Sequence, residues 1–227
     1  MRFKARTLGA GAGFLAALIW ATASGPARAQ EEAAQRSIPD EYRWENVITD
    51  FDKSRLERAD EALALGNEEA AAADGVSYDD RLALKSVMDA KAVPVDDSHL
   101  LGWRGCRMIK VGGRFAGLAV YPFFDCRITV VDGFLFFEKR SGSQRMSGRL
   151  YQNDALSRIL LAAPTYNDAP QRPYMSEADE NTDPQIQNAV GVLNQLEDGR
   201  LRILFPWPAL EASYTVLVFD FPGDAVH

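Results

Sequence analysis

The sequence predicts a mainly β protein: an antiparallel meander closing into a small, lipocalin-like barrel, preceded by two or three short helices. Three observations predict it. From residue 105 onward apolar side chains recur with period two, the signature of half-buried strands. Asp-Gly dipeptides at 132–133 and 198–199 separate such stretches, and Asp-Gly is a strong hairpin signal. The connections are short, and a tally of about eight tightly joined strands suits a closed or nearly closed barrel. A β-sandwich is the alternative architecture.

Taken in chain order, residues 1–29 read as a secretory signal. Arg2, Lys4 and Arg6 form the cationic start, Gly9 to Ala23 the apolar stretch, and Ala27-Arg28-Ala29 the small-x-small cleavage pattern. The apolar stretch spans fifteen residues, short of the roughly 20 needed to cross a bilayer. Cleavage after Ala29 and a periplasmic location are therefore expected, with no transmembrane segment in the mature chain. Cleavage removes four cationic residues and no acidic one, taking the formal charge from −7 to −11. So acidic a chain is not a general nucleic-acid binder, which would present a basic surface.

Residues 30–104 read as a helical lead-in and connector, and 105–227 as the barrel domain. Trp44 to Gly66 is read as helical, with Thr49 and Asp52 spaced as a capping box, Leu56, Ala59 and Leu63 at helical period, and Gly66 as the stop. Tyr78 to Ala90 reads as a second helix with Leu82, Val87 and Met88 on its apolar side, while the alanines at 70–73 anchor nothing. The two helices are expected to pack on the barrel, covering an open end. Residues 91–104, with Pro94 and His99, form the connector.

Phe124, Cys126, Ile128 and Val130 alternate with polar residues, and Asp132-Gly133 follows. A two-residue loop there pairs Val131 with Phe134, Val130 with Leu135, and Ile128 with Phe137. It also sets Arg127 opposite Glu138 on the outer face. The same rule at Asp198-Gly199 sets Glu197 against Arg200 and Gln195 against Arg202 outside, with Leu196 meeting Leu201 and Val192 meeting Phe205 inside. Further strands are read at 105–111, 145–151, 157–163 and 214–221. Residues 164–187 form one long loop, acidic and proline-bearing. Cys106 and Cys126, the only cysteines, sit on strands and would meet an oxidising space, where one disulfide is expected. Closing a loop of about 20 residues contributes on the order of 3 kcal/mol in the chain-entropy model.

Several segments resemble the DUF4893 family, exported bacterial proteins of unknown function. They are Trp44 with Thr49-Asp50-Phe51-Asp52-Lys53-Ser54-Arg55-Leu56, then Cys106-Arg107-Met108-Ile109-Lys110-Val111-Gly112, then Cys126. The series continues with Gly142-Ser143-Gln144-Arg145-Met146-Ser147-Gly148-Arg149-Leu150-Tyr151 and Gly199-Arg200-Leu201-Arg202-Ile203-Leu204-Phe205-Pro206-Trp207-Pro208. Their order along nearly the whole mature chain is the specific part. The resemblance implies an exported protein of a Gram-negative bacterium and supplies no activity.

There are two histidines, His99 and the terminal His227, too few and too far apart for most histidine-centred catalysis or zinc binding. No G-x-S-x-G elbow is present, and Ser141 and Ser143 have no histidine nearby in sequence. Asp179-x-Asn181-x-Asp183 imitates a calcium loop, but Pro184 stands where glycine is needed and Val190 where glutamate is needed. No metal or cofactor is called for. The suggestive cluster is 144–151, where alternation puts Arg145, Ser147, Arg149 and Tyr151 on one face, an arrangement suited to carboxylates or phosphates. Arg107 on a neighbouring strand and Trp207 complete the candidate ligand-binding set. Phe134 and Phe136 fall outside the core and call for a cover, either the N-terminal helices or a partner, with the chain's own helices favoured. The reading favoured is a non-enzymatic binding module for a small amphipathic ligand or an envelope protein partner. The alternative is an envelope hydrolase with a carboxylate or serine site at the barrel mouth.

Overall fold

Nine antiparallel strands and four helices make up the structure, a computed structural model that describes residues 39–102, 105–113 and 117–219. The signal segment 1–29, and with it the cleavage point, lies outside the described residues, as does His227. In chain order the elements are α1 (Asp50–Glu57), α2 (Ala59–Ala72), α3 (Tyr78–Met88), β1 (Ala92–Val93), α4 (Asp97–Leu100), β2 (Gly105–Val111), β3 (Leu118–Val131), β4 (Phe134–Lys139), β5 (Gln144–Asp154), β6 (Ser157–Tyr166), β7 (Ala189–Leu196), β8 (Leu201–Pro206) and β9 (Tyr214–Phe219).

Strands β2 to β9 pair each with the next, and β9 pairs back onto β2, so eight strands close into an up-and-down barrel; β1 adds a ninth beside β7. Closure removes the sheet edges that an open meander would expose. Strand β3 is longer than the period-two stretch at 124–130 predicts. Its first half pairs with β2 and its second half with β4. Pro122, which has no N–H to donate, falls in the bulge between the pairs Arg107–Phe123 and Ile109–Val120.

The interior is lined by Cys106, Met108, Cys126, Ile128, Phe137, Met146, Leu150, Leu160, Leu193, Leu201, Ile203, Phe205, Leu217 and Phe219, all buried. Cys106 and Cys126 are joined there by the expected disulfide, with Cα atoms 5.6 Å apart. The Asp132-Gly133 hairpin has the register read from sequence, Val131 with Phe134 and Ile128 with Phe137. Arg127 Nε donates to Glu138 Oε2 at 2.6 Å.

The second hairpin corrects the expected register by one residue. Gln195 pairs with Leu201, Leu193 with Ile203 and Val192 with Leu204. Leu196 N–H donates to Arg200 O and Gly199 N–H to Leu196 O, and Gly199 has φ 87°. This is a three-residue loop, a turn closed by a left-handed glycine, rather than the two-residue form. Val192 and Leu196 consequently face outward, away from Phe205. Arg202 donates to Asn194 Oδ1 and to the C-terminal carbonyl of Val87 instead of facing Gln195.

The helices also depart from expectation in two places. Thr49 caps α1, accepting from Asp52 N–H at 3.1 Å as the spacing predicts. The helical path breaks at Arg58, however, and Gly66 lies within α2 rather than ending it. A Cβ at Gly66 would stand 2.6 Å from Tyr214 Cδ1, so the missing side chain serves a close approach of helix to strand. Ala70, in the run expected to anchor nothing, is buried there too, whereas Leu82 on α3 is 51% exposed. Neither long helix covers a barrel end. Helices α2 and α3 lie on the outer wall over Ile109, Val111, Tyr214, Val216 and Val218. An end is closed by the connector: α4 places Leu100 in the interior lining, and His99 Nε2 lies 3.0 Å from Gly199 O.

Candidate functional site

A second part of the outer wall, on β4, β5 and β6, is covered by loop rather than helix. Odd-numbered residues of β5 point outward here, so Ser147, Arg149 and Tyr151 share one face, as alternation requires. Across the ladder lie Phe136, opposite Arg149, and Leu161 on the other side of it. The N-terminal turns cover the edge of this face. Tyr42 stacks on Phe134 with centroids 4.5 Å apart, and Trp44, Val47 and Ile48 pack around Tyr151 and Ile159. Phe134 is therefore covered by the chain's own N-terminal turn at Tyr42 rather than by the helices expected to cover it. Phe136 is left partly open.

The long loop supplies the roof. Residues 171–176 arch over β5 and enclose a cleft of about 480 Å³, lined by Phe136, Ser147, Arg149, Tyr151, Leu161, Arg172 and Tyr174 among others. That volume is within the range of small-molecule sites. Among the described residues, two guanidinium groups and three aromatic rings line it and no carboxylate does. Arg149 lies over the Phe134 ring, 4.2 Å from its centroid. Burial pushes the Tyr151 phenol above its ordinary pKa, and the hydrogen-bonded Arg149 guanidinium partly opposes the shift. Arg172 uses Nε on Pro164 O at 3.1 Å and Nη2 on Ile186 O at 2.6 Å. Its Nη1 is buried without a partner. Desolvation lowers the pKa of this guanidinium, the direction expected when a charge is withdrawn from water uncompensated.

A buried polar network fixes the roof. Asp52, fully buried, receives Arg55 Nη1 on Oδ1 at 2.9 Å, and both the Tyr174 hydroxyl (2.6 Å) and Asn188 Nδ2 (2.9 Å) on Oδ2. Thr49 N–H donates to the Tyr174 oxygen, and Arg55 Nε donates to Trp207 O. One carboxylate thus ties α1 to the roof loop at two points, Tyr174 and Asn188 just before β7. Burial and the neighbouring carboxylate raise the Tyr174 pKa far above that of a free tyrosine, which keeps the phenol a donor. The sequence shows Asp52 only as part of a cap; its partner Tyr174 is 122 residues away, a contact no spacing rule reveals.

The remaining candidates lie elsewhere. Arg107 stacks on Phe123 with its Nε buried and unpartnered. Trp207 donates its indole N–H to Arg58 O at 3.0 Å and carries the Arg58 guanidinium over its ring. Arg145 donates to Asn167 O and Ala169 O and lines the opposite feature, the barrel mouth. The mouth holds only about 70 Å³ of space, enough for a few water molecules. Glu211 there is paired with Lys110 and within reach of Gln144; the Lys110 hydrogen bond holds its carboxyl below the usual range. Ser141 Oγ accepts from Asp125 N–H, while His99 belongs to the loops at the other end of the barrel. Asp179 and Asp183 accept hydrogen bonds from the backbone of their own turns, and among the described residues no three His, Cys, Asp or Glu gather as a metal site. Among the described residues, no helix is long and apolar enough to cross a membrane.

No curated protein and no solved structure matches the chain. The model of a domain of unknown function, DUF4893, matches residues 44–219, a span that takes in α1 with its Asp52 and Arg55, the roof loop and every barrel strand. The chain belongs to the DUF4893 family.

Proposed function

We propose that this protein is an exported, non-enzymatic binding module that takes a small amphipathic ligand in the cleft between β5 and the roof loop, within the periplasm. The observation that carries this reading is the cleft itself: about 480 Å³ walled by aromatic and aliphatic side chains with a few polar groups, on a protein whose barrel interior is filled. A binding site on the wall rather than in the lumen separates this barrel from ligand carriers that open their interior. The mouth, where a hydrolase would place its groups, has an acid already engaged by Lys110 rather than one poised to hold a proton.

Native mass spectrometry of the protein purified from the periplasm of its own host tests the reading. A small-molecule adduct that is lost when the cleft is filled by Ser176→Trp supports it. A bare mass, together with no fluorescence gain from the neutral probe N-phenyl-1-naphthylamine, overturns it.

A further inference from the structure

The cleft carries a charge asymmetry that a neutral amphiphile would not use. Arg149 and Arg172 both line it, no carboxylate among the described residues does, and the chain as a whole is acidic, with a formal charge of −7. Among the described residues neither arginine forms an ion pair with a carboxylate. Some arginines elsewhere are paired, such as Arg55 with Asp52, Arg127 with Glu138, Arg158 with Asp97 and Arg200 with Asp198, and others among the described residues, Arg81, Arg107, Arg145 and Arg202, are not. Arg149 and Arg172 are two without a carboxylate that line one cleft together.

Arg172 sharpens the point. Two of its nitrogens are spent on the carbonyls of Pro164 and Ile186, which fixes the plane of the guanidinium, and the third, Nη1, is buried with nothing to donate to. A buried donor without an acceptor costs free energy, and a guanidinium is the costliest kind to strand. The guanidinium stands at the wall of the cleft, where an anion would offset the desolvation that lowers the pKa of this group. Ser147, buried at the cleft floor, adds a hydroxyl.

We infer that the ligand's polar end is an oxyanion, a carboxylate or a phosphate monoester, seated between Arg149 and Arg172 with its apolar body against Phe136, Tyr151 and Leu161. This rests on the binding role proposed for the cleft and adds the chemical class of the ligand. Two guanidinium groups, one held over an aromatic ring and one by backbone carbonyls, set two fixed positive charges on the cleft wall, suited to either anion. The apolar body accounts for the rings; the anion accounts for the arginines.

Calorimetric titration of the purified full chain with decanoate, decyl phosphate and decanol, which share one tail, reads the inference directly. At least one of the two anions is expected to bind about ten-fold more tightly than the alcohol, or better, since hydrogen bonds to charged partners are the stronger kind. Whichever anion is preferred identifies the head group. Arg149→Gln is expected to bring the ratio of anion to decanol affinity close to one, because it removes one of the two cationic groups that line the cleft. Arg172→Lys, which keeps the charge but not the fork, should lower anion affinity, and Arg140→Gln outside the cleft should leave it unaltered. Equal binding of all three amphiphiles overturns the oxyanion assignment and leaves the binding role standing. Binding of none of them, with no response to the neutral probe, overturns both.

Discussion

Two stretches of the same barrel wall are covered in different ways, and the difference decides where a ligand has room. Over β2, β8 and β9 the cover is helical. Ile109, Val111, Val216 and Val218 meet Ala62, Ala70 and Val87, and Gly66 lets Tyr214 approach the α2 backbone. Small residues on the helix and branched ones on the strands bring the two surfaces together at interior density. Over β4, β5 and β6 the cover is the loop from β6 to β7. It is fastened at few points: Tyr174 and Asn188 on Asp52, Arg172 on two carbonyls, and Arg145 on Asn167 O and Ala169 O. Between those points lies the cleft. The space on the helical side, about 300 Å³, lies between α2, α3 and Leu118, whereas the pinned loop leaves its larger cleft against the face of β5.

The largest effect is expected at the strongest pin. Asp52→Ala leaves Arg55 buried without its counter-charge, a change that costs about 3–5 kcal/mol when a buried pair is broken on one side. It should also release the roof, so limited proteolysis within 167–188 is expected to accelerate before global unfolding in urea. Uniform protection of that loop in the variant would show that the roof does not depend on Asp52.

On the helical side, Gly66→Val places methyl groups against the Tyr214 ring, where even a Cβ stands only 2.6 Å away. Overpacking of this kind costs about 1–3 kcal/mol. The contrast with the cleft is the sharper readout: ligand affinity should be unchanged in Gly66→Val, provided measurement is made below its lowered melting temperature. A variant that melts with the wild type would mean that the helix cover is loose after all.

The smallest effect belongs to the filled interior that both covers surround. Lys139 is 1% exposed; its Nζ donates to Ser141 O at 2.8 Å and Gln144 O at 2.6 Å and lies over the Phe124 ring. Burial, with Lys110 and Arg145 adding repulsion, brings its pKa down to about 8 from the ordinary 10.5. A cationic group with a lowered folded pKa binds fewer protons folded than unfolded between those values. Stability therefore rises with pH across that window, by on the order of 1 kcal/mol after allowance for screening. Below pH 10 the buried tyrosines, whose pKa values are raised, do not yet oppose the trend. Lys139→Met should flatten the rise in thermal melts from pH 8 to 10. An unchanged slope in the variant would assign the trend to other groups.

How far the sequence can be read is best seen at its two Asp-Gly hairpins. At 132–133 the flanks alternate apolar with polar, since one face of β3 and β4 near the turn meets the interior and the other carries Arg127 and Glu138. One register satisfies both faces, and it is the one observed. At 198–199 the flanks carry apolar residues on both faces, because the helices cover the outside. Leu196, Leu201 and Leu204 then fit either register, and only the three-residue loop selects one. The same limit applies to the site. Ser147, Arg149 and Tyr151 were legible as one face of a strand, while Arg172 and Tyr174 sit in a loop without period. Arg107, Arg145 and Trp207 share their residue types but not their location.

Strand period, the hairpin at 132–133, the two cysteines on neighbouring strands and the Thr49 cap are determined by the amino-acid order alone. Each is a local preference, or a pattern that repeats within a few residues. Closure of β9 onto β2, the outward placement of the helices and the roofing of β5 were decided only by the folded chain. They join residues more than a hundred positions apart, such as Asp52 and Tyr174. Such contacts form where buried charge and hydrogen-bonding groups find one another in three dimensions, and nothing in their sequence spacing records it.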